Sequence, residues 1–358
     1  MSMNFDPIDD TPLPPKPPEE REAAQPEPPE PLEPPQPPDL LESPQPLEPL
    51  EPLEPLEPLE QVEQVEQVEQ VEQVPPPRVW TLLLMLLLAP VVYIVFTVMA
   101  VAVVMALPAG FGSAAGPDEL FGGAVGLSLL IVFAHGSIAL LAVAAALLSP
   151  RPWRERLGLV RPVVSWWAML PILVGTMTFG WLNVLICAAL FEAPSKGLEE
   201  LFEMMTVFTG PAVVLGVMNV GLVAGTAEEL IFRGYLQTRL LRRWGPLAAI
   251  VPVSVLFGLV HLDVQHALSA GIMGAWFGVL CWRTGSLWPA ILCHAGYNAY
   301  ASIEFARVGL PEQSMTYAQM LAGWDATDTV LFSLSGAALL FSMAILARAR
   351  PESGRLIG

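Results

Sequence analysis

The sequence predicts an all-α polytopic integral membrane protein, with about eight transmembrane helices and a disordered N-terminal tail. Three observations carry this reading. The 358 residues are 53% hydrophobic with a mean hydropathy of +0.53, too apolar for a soluble chain of this size. From Val79 onward, long apolar runs alternate with short polar breaks, and no period-two alternation of the kind strands need is present. Charge is also segregated. Residues 1–77 hold 20 of the 35 acidic side chains but only two of the 17 basic ones, Lys16 and Arg21, which leaves 15 of each sign in the rest. The formal charge of −18 therefore belongs to a tail, and the body is neutral. Such a tail argues against binding nucleic acid or anionic headgroups through that segment.

The tail, 1–77, contains 23 of the 37 prolines. Leu-Glu-Pro repeats over 47–60 and Gln-Val-Glu over 61–74. Proline at every third position forbids an α-helix and suits extended polyproline II. The second repeat could form weak helix, but at period three its valines drift around the surface and build no seam. The expectation is a disordered spacer, or a docking arm for a protein partner.

A span needs roughly 20 apolar residues to cross a ~30 Å hydrocarbon core. Candidate spans are 79–107, 122–148, 165–191, 208–232, 246–262, 267–283, 286–303 and 329–347, the fifth and sixth being the shortest. Basic residues follow span two (Arg151, Arg154, Arg156, Arg161), span four (Arg239, Arg242, Arg243) and the last span (Arg348, Arg350, Arg355), and Arg283 marks an end of span six. The charge rule places these ends in the cytoplasm, and with eight spans both termini join them. The mostly acidic loops at 108–121, 192–206 and 304–328 then face outward. No leader is read before the first span. The three cysteines, Cys187, Cys281 and Cys293, lie in apolar runs without CxxC spacing and read as small buried hydrophobes.

Against this background, Glu228, Glu229 and Arg233 stand out. A charge at the bilayer centre costs about 2.5–3.5 kcal/mol on the insertion scale, so intramembrane charges by default mark function. Residues four apart share a helix face, so Glu229 and Arg233 can pair, while Glu228 points about 100° away and is left to face a cavity. Phe257 and His261 have the same spacing, so the ring can wall the imidazole. His294 and Asn298 also share a face. If two straight helices fold back near Trp244-Gly245-Pro246, Glu228 and His261 each lie about 24 Å from the turn at 1.5 Å per residue. Hydropathy alone, however, puts them near opposite ends of their spans.

These groups suit peptide hydrolysis. A desolvated carboxylate can act as general base to water and pass the proton to the leaving amine. One histidine orients the water, and the other, with the asparagine, donates to the developing oxyanion. Alternatively, Glu228, His261 and His294 could hold a divalent metal such as zinc with an open position, and spacing alone does not separate the two mechanisms. HExxH is absent. His266, beside Asp263 and Gln265, reads as interfacial, and His135, remote in sequence, as packed or pore-side. Trp166, Trp167, Trp276, Trp282 and Trp288 suit the interface or helix packing.

The ordered set EExxxR (Glu228, Glu229, Arg233), FxxxH (Phe257, His261) and HxxxN (His294, Asn298) resembles the CAAX-protease and bacteriocin-processing family of intramembrane proteases, together with the flanks EELIFRGYLQTRLLRRWGP and RTGSLWPAILCHAGYN. The resemblance covers roughly 165–303. It implies an all-helical core with a catalytic cavity formed by Glu228, His261, His294 and Asn298 and supported by Glu229 and Arg233. It also implies cleavage of a membrane-associated or lipidated peptide or protein. Eukaryotic members of that family trim the last three residues from prenylated proteins, and bacterial members are linked to peptide processing or self-immunity, which places this chain in a bacterial cytoplasmic membrane. The family is commonly labelled metalloprotease, although a metal-free glutamate mechanism is also argued for it. The acidic tail belongs to no family pattern. The chain thus divides into a tail (1–77), N-terminal transmembrane helices (78–164), a protease core (165–303) and a last helix with its tail (304–358). The alternative function is a non-catalytic scaffold or bacteriocin-immunity protein that binds a peptide in the same cavity. A proton-coupled carrier is a third reading, which the lack of an inverted repeat disfavours.

Overall fold

The computed structural model describes residues 80–106, 123–149, 151–308 and 316–350. All belong to the second of two units into which the chain divides, Val71–Gly358. The expected tail with its repeats and the expected loop at 108–121 lie outside the described residues.

The described residues are helical, with no strand among them. In chain order the helices of six residues or more are α1 (Trp80–Ala106), α2 (Ala124–Leu147), α3 (Met169–Leu190, led by a 3₁₀ turn at Trp166–Ala168), α4 (Lys196–Met205), α5 (Gly210–Trp244), α6 (Pro246–Leu259), α7 (Val264–Thr284), α8 (Trp288–Val308), α9 (Tyr317–Ala322) and α10 (Ala326–Arg348), with one short helical turn, Trp153–Arg156, between α2 and α3. Among them, α1, α2, α3 with its 3₁₀ lead, α5, α7 and α10 are long and apolar enough to cross a membrane. Helix α6 is apolar but shorter. The span boundaries read from hydropathy agree for five of those six long helices; α5 runs on to Trp244, well past the expected end at 232. Two of the expected outward loops carry short helices of their own. Helix α4 is capped by Ser195, whose hydroxyl accepts from the Leu198 N–H, and α9 opens on a capping box between Thr316 and Gln319.

Helix α5 is not a uniform α-helix. Two π-helical stretches, Val217–Ala224 and Leu230–Gln237, flank a single α-turn, Gly225–Glu229. The acidic pair sits on that turn. Widened i→i+5 turns re-aim side chains and are common at functional sites. Gly245, at φ 79°, ends the helix in a conformation that favours glycine, and Pro246 starts α6 where a missing N–H costs nothing.

Small residues bring the site-bearing helices together. A Cβ on Gly221 would meet Ala295 and Ala299 of α8 at 3.1 Å, and one on Gly225 would meet Ala295 at 3.2 Å. Two small residues four apart on each helix let the backbones approach closely, which is how helices associate where lipid supplies no hydrophobic drive. A second pair works between α5 and α7. Arg233 donates to the Gly274 carbonyl at 2.9 Å, and Gln237 donates to the Gly278 carbonyl at 2.9 Å. A Cβ at either glycine would collide with the side chain it receives, at 2.7 Å in both cases.

Two turns matter for the site. Between α7 and α8, Gly285 at φ 63° closes α7, while Thr284, Ser286 and Leu287 are fully buried. The segment 157–163 covers them: Leu287 N–H donates to Gly158, Val163 N–H to Thr284, and the Ser286 hydroxyl to Val160. This buried turn seats the start of α8 against 157–163, while Trp288, its first residue, is 39% exposed. His294 lies only about 9 Å along α8 from Trp288, at 1.5 Å per residue, yet it meets Glu228. Between α6 and α7, Leu262 adopts φ 61°, a strained value for a branched side chain, directly after His261.

The α6–α7 turn is pinned from outside. Asp263 caps α7 by accepting from the His266 N–H at 2.9 Å and also accepts from the Ser195 hydroxyl at 2.8 Å. Burial acts to raise its pKa, but the His266, Ser195 and Gln265 donors outweigh it and hold the carboxyl below the usual carboxylate range. A depressed folded-state pKa gives stability that is present above the unfolded value, about 3.9, and lost as pH falls through the folded one. Thermal midpoints measured from pH 6 downward are expected to fall more steeply for the wild type than for Asp263→Asn. Equal slopes would remove this contribution.

Candidate active site

Glu228 on α5 lies between two histidines. Its Oε1 is 3.3 Å from His135 Nε2 on α2, and its Oε2 is 3.7 Å from His294 Nε2 on α8. The other nitrogen of each ring is fixed. His135 Nδ1 faces the Ile131 carbonyl at 3.2 Å, and His294 Nδ1 faces Glu229 Oε1 at 2.8 Å. A carbonyl oxygen can only accept, so His135 Nδ1 carries the hydrogen of that bond. Glu229 Oε1 already accepts from Arg233 Nη1 at 2.7 Å, so it too takes a hydrogen from His294 rather than giving one. Both Nε2 atoms are then the nitrogens at which a proton can be exchanged with Glu228.

Glu229 pairs with Arg233, as their helical spacing predicts. Glu229 and Arg233 are fully buried and paired, whereas Glu228 keeps 17% of its side chain exposed, as does His135. Aromatic rings hold this arrangement. Phe277 stacks on His294 at 4.6 Å, and Phe257 meets His294 edge-on at 5.8 Å and His261 at 5.1 Å. The Arg233 guanidinium sits 4.4 Å from the Phe257 ring centre, so a desolvated cation gains the ring quadrupole as well as its carboxylate. Phe257 thus walls His261, as its spacing predicts, and also touches His294 and Arg233.

His261 sits in the α6–α7 turn, with Nδ1 on its own Phe257 carbonyl at 2.8 Å. It is close enough for its charge to act on Glu228 but makes no ion pair with it. Asn298 donates to the Val220 carbonyl at 3.2 Å, within the first π-helical stretch of α5. His294 and Asn298 therefore both reach α5, one at the acidic pair and the other two turns away.

His135, read as packed or pore-side, is a neighbour of Glu228. Tyr93 of α1 meets its ring edge-on at 5.5 Å and lies within reach of the Glu228 charge. No motif links positions 135 and 228, and the one available signal was a histidine in an otherwise apolar span. His266, read as interfacial, packs its ring 4.3 Å from that of His261. All four histidines of the chain thus gather around one carboxylate. Of the three residues considered as a metal set, Glu228 and His294 are adjacent, and His261 makes no ion pair with Glu228. Among the described residues, no group of three or more His, Cys, Asp or Glu side chains is arranged to hold a metal ion. The three cysteines are free and buried, as expected.

Residues 210–300, which carry every motif above, match the family described as Type II CAAX prenyl endopeptidase Rce1-like. Over this segment the chain is similar to the CAAX-protease and bacteriocin-processing family, the resemblance its motifs carry. Over 115 residues the chain is also 34% identical to a protein of Bacillus subtilis (strain 168) named "Putative membrane peptidase YdiL". That match takes in 31% of this chain and 47% of the relative, so the chain spans about half the length of the curated protein it matches. No solved structure matches. The CAAX-protease segment begins at α5 and ends within α8, so α2, which supplies His135, lies outside it.

Proposed function

We propose that the protein is an intramembrane endopeptidase that hydrolyses a peptide bond in a membrane-associated or lipidated peptide or protein. The observation that carries this reading is Glu228, partly exposed between two imidazoles whose far nitrogens are anchored. As a carboxylate, Glu228 removes one proton from a water molecule, and the oxygen adds to the carbonyl carbon of the scissile bond. The proton then passes to the amide nitrogen as the C–N bond breaks, leaving a carboxylic acid and an amine. His135 and His294 hold the carboxylate and share its proton. His261, with Nδ1 occupied, has Nε2 for water or substrate. Asn298 has a second amide hydrogen for the oxyanion.

The test compares chain termini. Membranes from cells producing the wild type or Glu228→Gln are digested, and peptides bearing new N- or C-termini are quantified. Termini present only with the wild type are expected; identical profiles at equal protein levels would support the scaffold reading instead. Adding a chelator to the purified enzyme, with metal content measured on the same sample, decides whether a divalent ion is required.

His135 should act through Glu228. With a cleavable substrate, His135→Gln is expected to lower kcat by about 10²-fold with KM nearly unchanged. Normal kcat, or a loss confined to KM or to the thermal midpoint, would assign His135 to packing alone.

A further inference from the structure

A second charged cluster lies away from the acidic site. Arg151 and Arg156 follow α2, and Arg239 lies in the last part of α5. Arg156 is close enough to repel both Arg151 and Arg239. Arg239 is 4% exposed, and its Nη1 donates to the Tyr235 carbonyl at 2.8 Å while its guanidinium lies 3.2 Å from the Tyr235 ring centre. The Nε atoms of Arg156 and Arg239 are both buried and without a hydrogen-bond partner. Among the described residues, no ion pair joins any of the three arginines to a carboxylate.

This arrangement is costly as it stands. Buried charges are normally paired, and orphaned buried donors are rare. Here like charges converge instead. Burial, then Arg151, pushes the pKa of Arg156 below its usual value, with Tyr235 opposing. The missing element is an anion with several acceptor oxygens, and guanidinium groups match phosphate in geometry.

The surroundings indicate where that phosphate comes from. In the chain, Arg151 and Arg156 lie between the end of α2, where Leu148 is 89% exposed, and the start of α3, where Trp167 is 88% exposed and Trp166 is also exposed. Exposed tryptophans at span ends mark the level of lipid headgroups. Segment 157–163 folds back over the α7–α8 turn beside the cluster, and Leu157 packs against Gly234 of α5.

We propose that Arg151, Arg156 and Arg239 form a site for the phosphate group of an anionic membrane lipid. It lies outside the peptidase machinery and does not depend on that activity.

The test uses full-length protein in nanodiscs of phosphatidylcholine alone or with phosphatidylglycerol, reading the thermal midpoint. Phosphatidylglycerol is expected to raise the wild-type midpoint by roughly 5 °C. Arg156→Gln and Arg151→Gln should lose most of that increment while keeping the wild-type midpoint, or a higher one, in phosphatidylcholine, because they relieve repulsion. Arg307→Gln, which removes an exposed cation paired with Glu304, should keep the full increment. A wild type indifferent to phosphatidylglycerol, or Arg151 and Arg156 variants that retain the increment, would overturn the site. Inorganic phosphate is added separately in detergent; an equal rise there overturns the lipid source and assigns the arginines to free phosphate.

Discussion

Glu228→Gln is expected to reduce peptide cleavage by about 10²–10⁴-fold while leaving the protein folded. Glutamine has the shape of glutamate and can still meet His135 and His294, so the packing around α5 is preserved. It cannot take a proton from water. The loss should therefore fall on kcat, with KM nearly unchanged, because the substituted group acts on water and not on the bound peptide. Glu228→Asp should fall between the two: it keeps the charge but withdraws it by one methylene from histidines 3.3 and 3.7 Å away. Purified proteins, compared for kcat at equal thermal midpoints, decide the matter. If the glutamine variant keeps more than a tenth of wild-type activity, Glu228 is not the base.

Arg233→Met is expected to cost about 3–5 kcal/mol of stability, the usual penalty for leaving one partner of a buried pair uncompensated. Three interactions go at once: the bond to Glu229 at 2.7 Å, the bond to the Gly274 carbonyl at 2.9 Å, and the cation held over Phe257. Glu229 Oε2 is already buried without a partner, so losing Arg233 would leave the carboxylate with only His294. The double variant Glu229→Gln, Arg233→Met should recover much of the loss, because the stranded charge is gone. Denaturation of all three proteins in one detergent measures this. A single variant as stable as the wild type would mean the pair is dispensable. The double variant should still be impaired in cleavage, since His294 then meets a neutral amide oxygen in place of the carboxylate that fixes its ring.

How much of this was legible beforehand depends on how far apart the partners lie in the chain. Glu229 and Arg233 are four residues apart, and their pairing follows from helical spacing. The same holds for Phe257 against His261. His294 could be picked out because a histidine in an apolar helix is unusual, and its motif links it to Glu228. His135 could not: its helix precedes the matched segment, and nothing local distinguishes a packed histidine from one aimed at a carboxylate across a helix interface. Hydropathy also assumes uniform helices that start and end at the lipid surface, whereas α5 contains two π-helical stretches and the α7–α8 turn is buried beneath 157–163.

Composition and short-range periodicity were enough to establish a helical membrane protein, the boundaries of most of its long spans and the identity of its acidic pair, because apolar length and i, i+4 proximity are properties of the chain itself. Which histidines surround Glu228, which ring nitrogens are anchored, and which arginines converge without a counter-charge were settled only when the helices packed. Those features depend on where small residues such as Gly225 and Ala295 allow two backbones to approach, and on which turn of which helix then faces its neighbour.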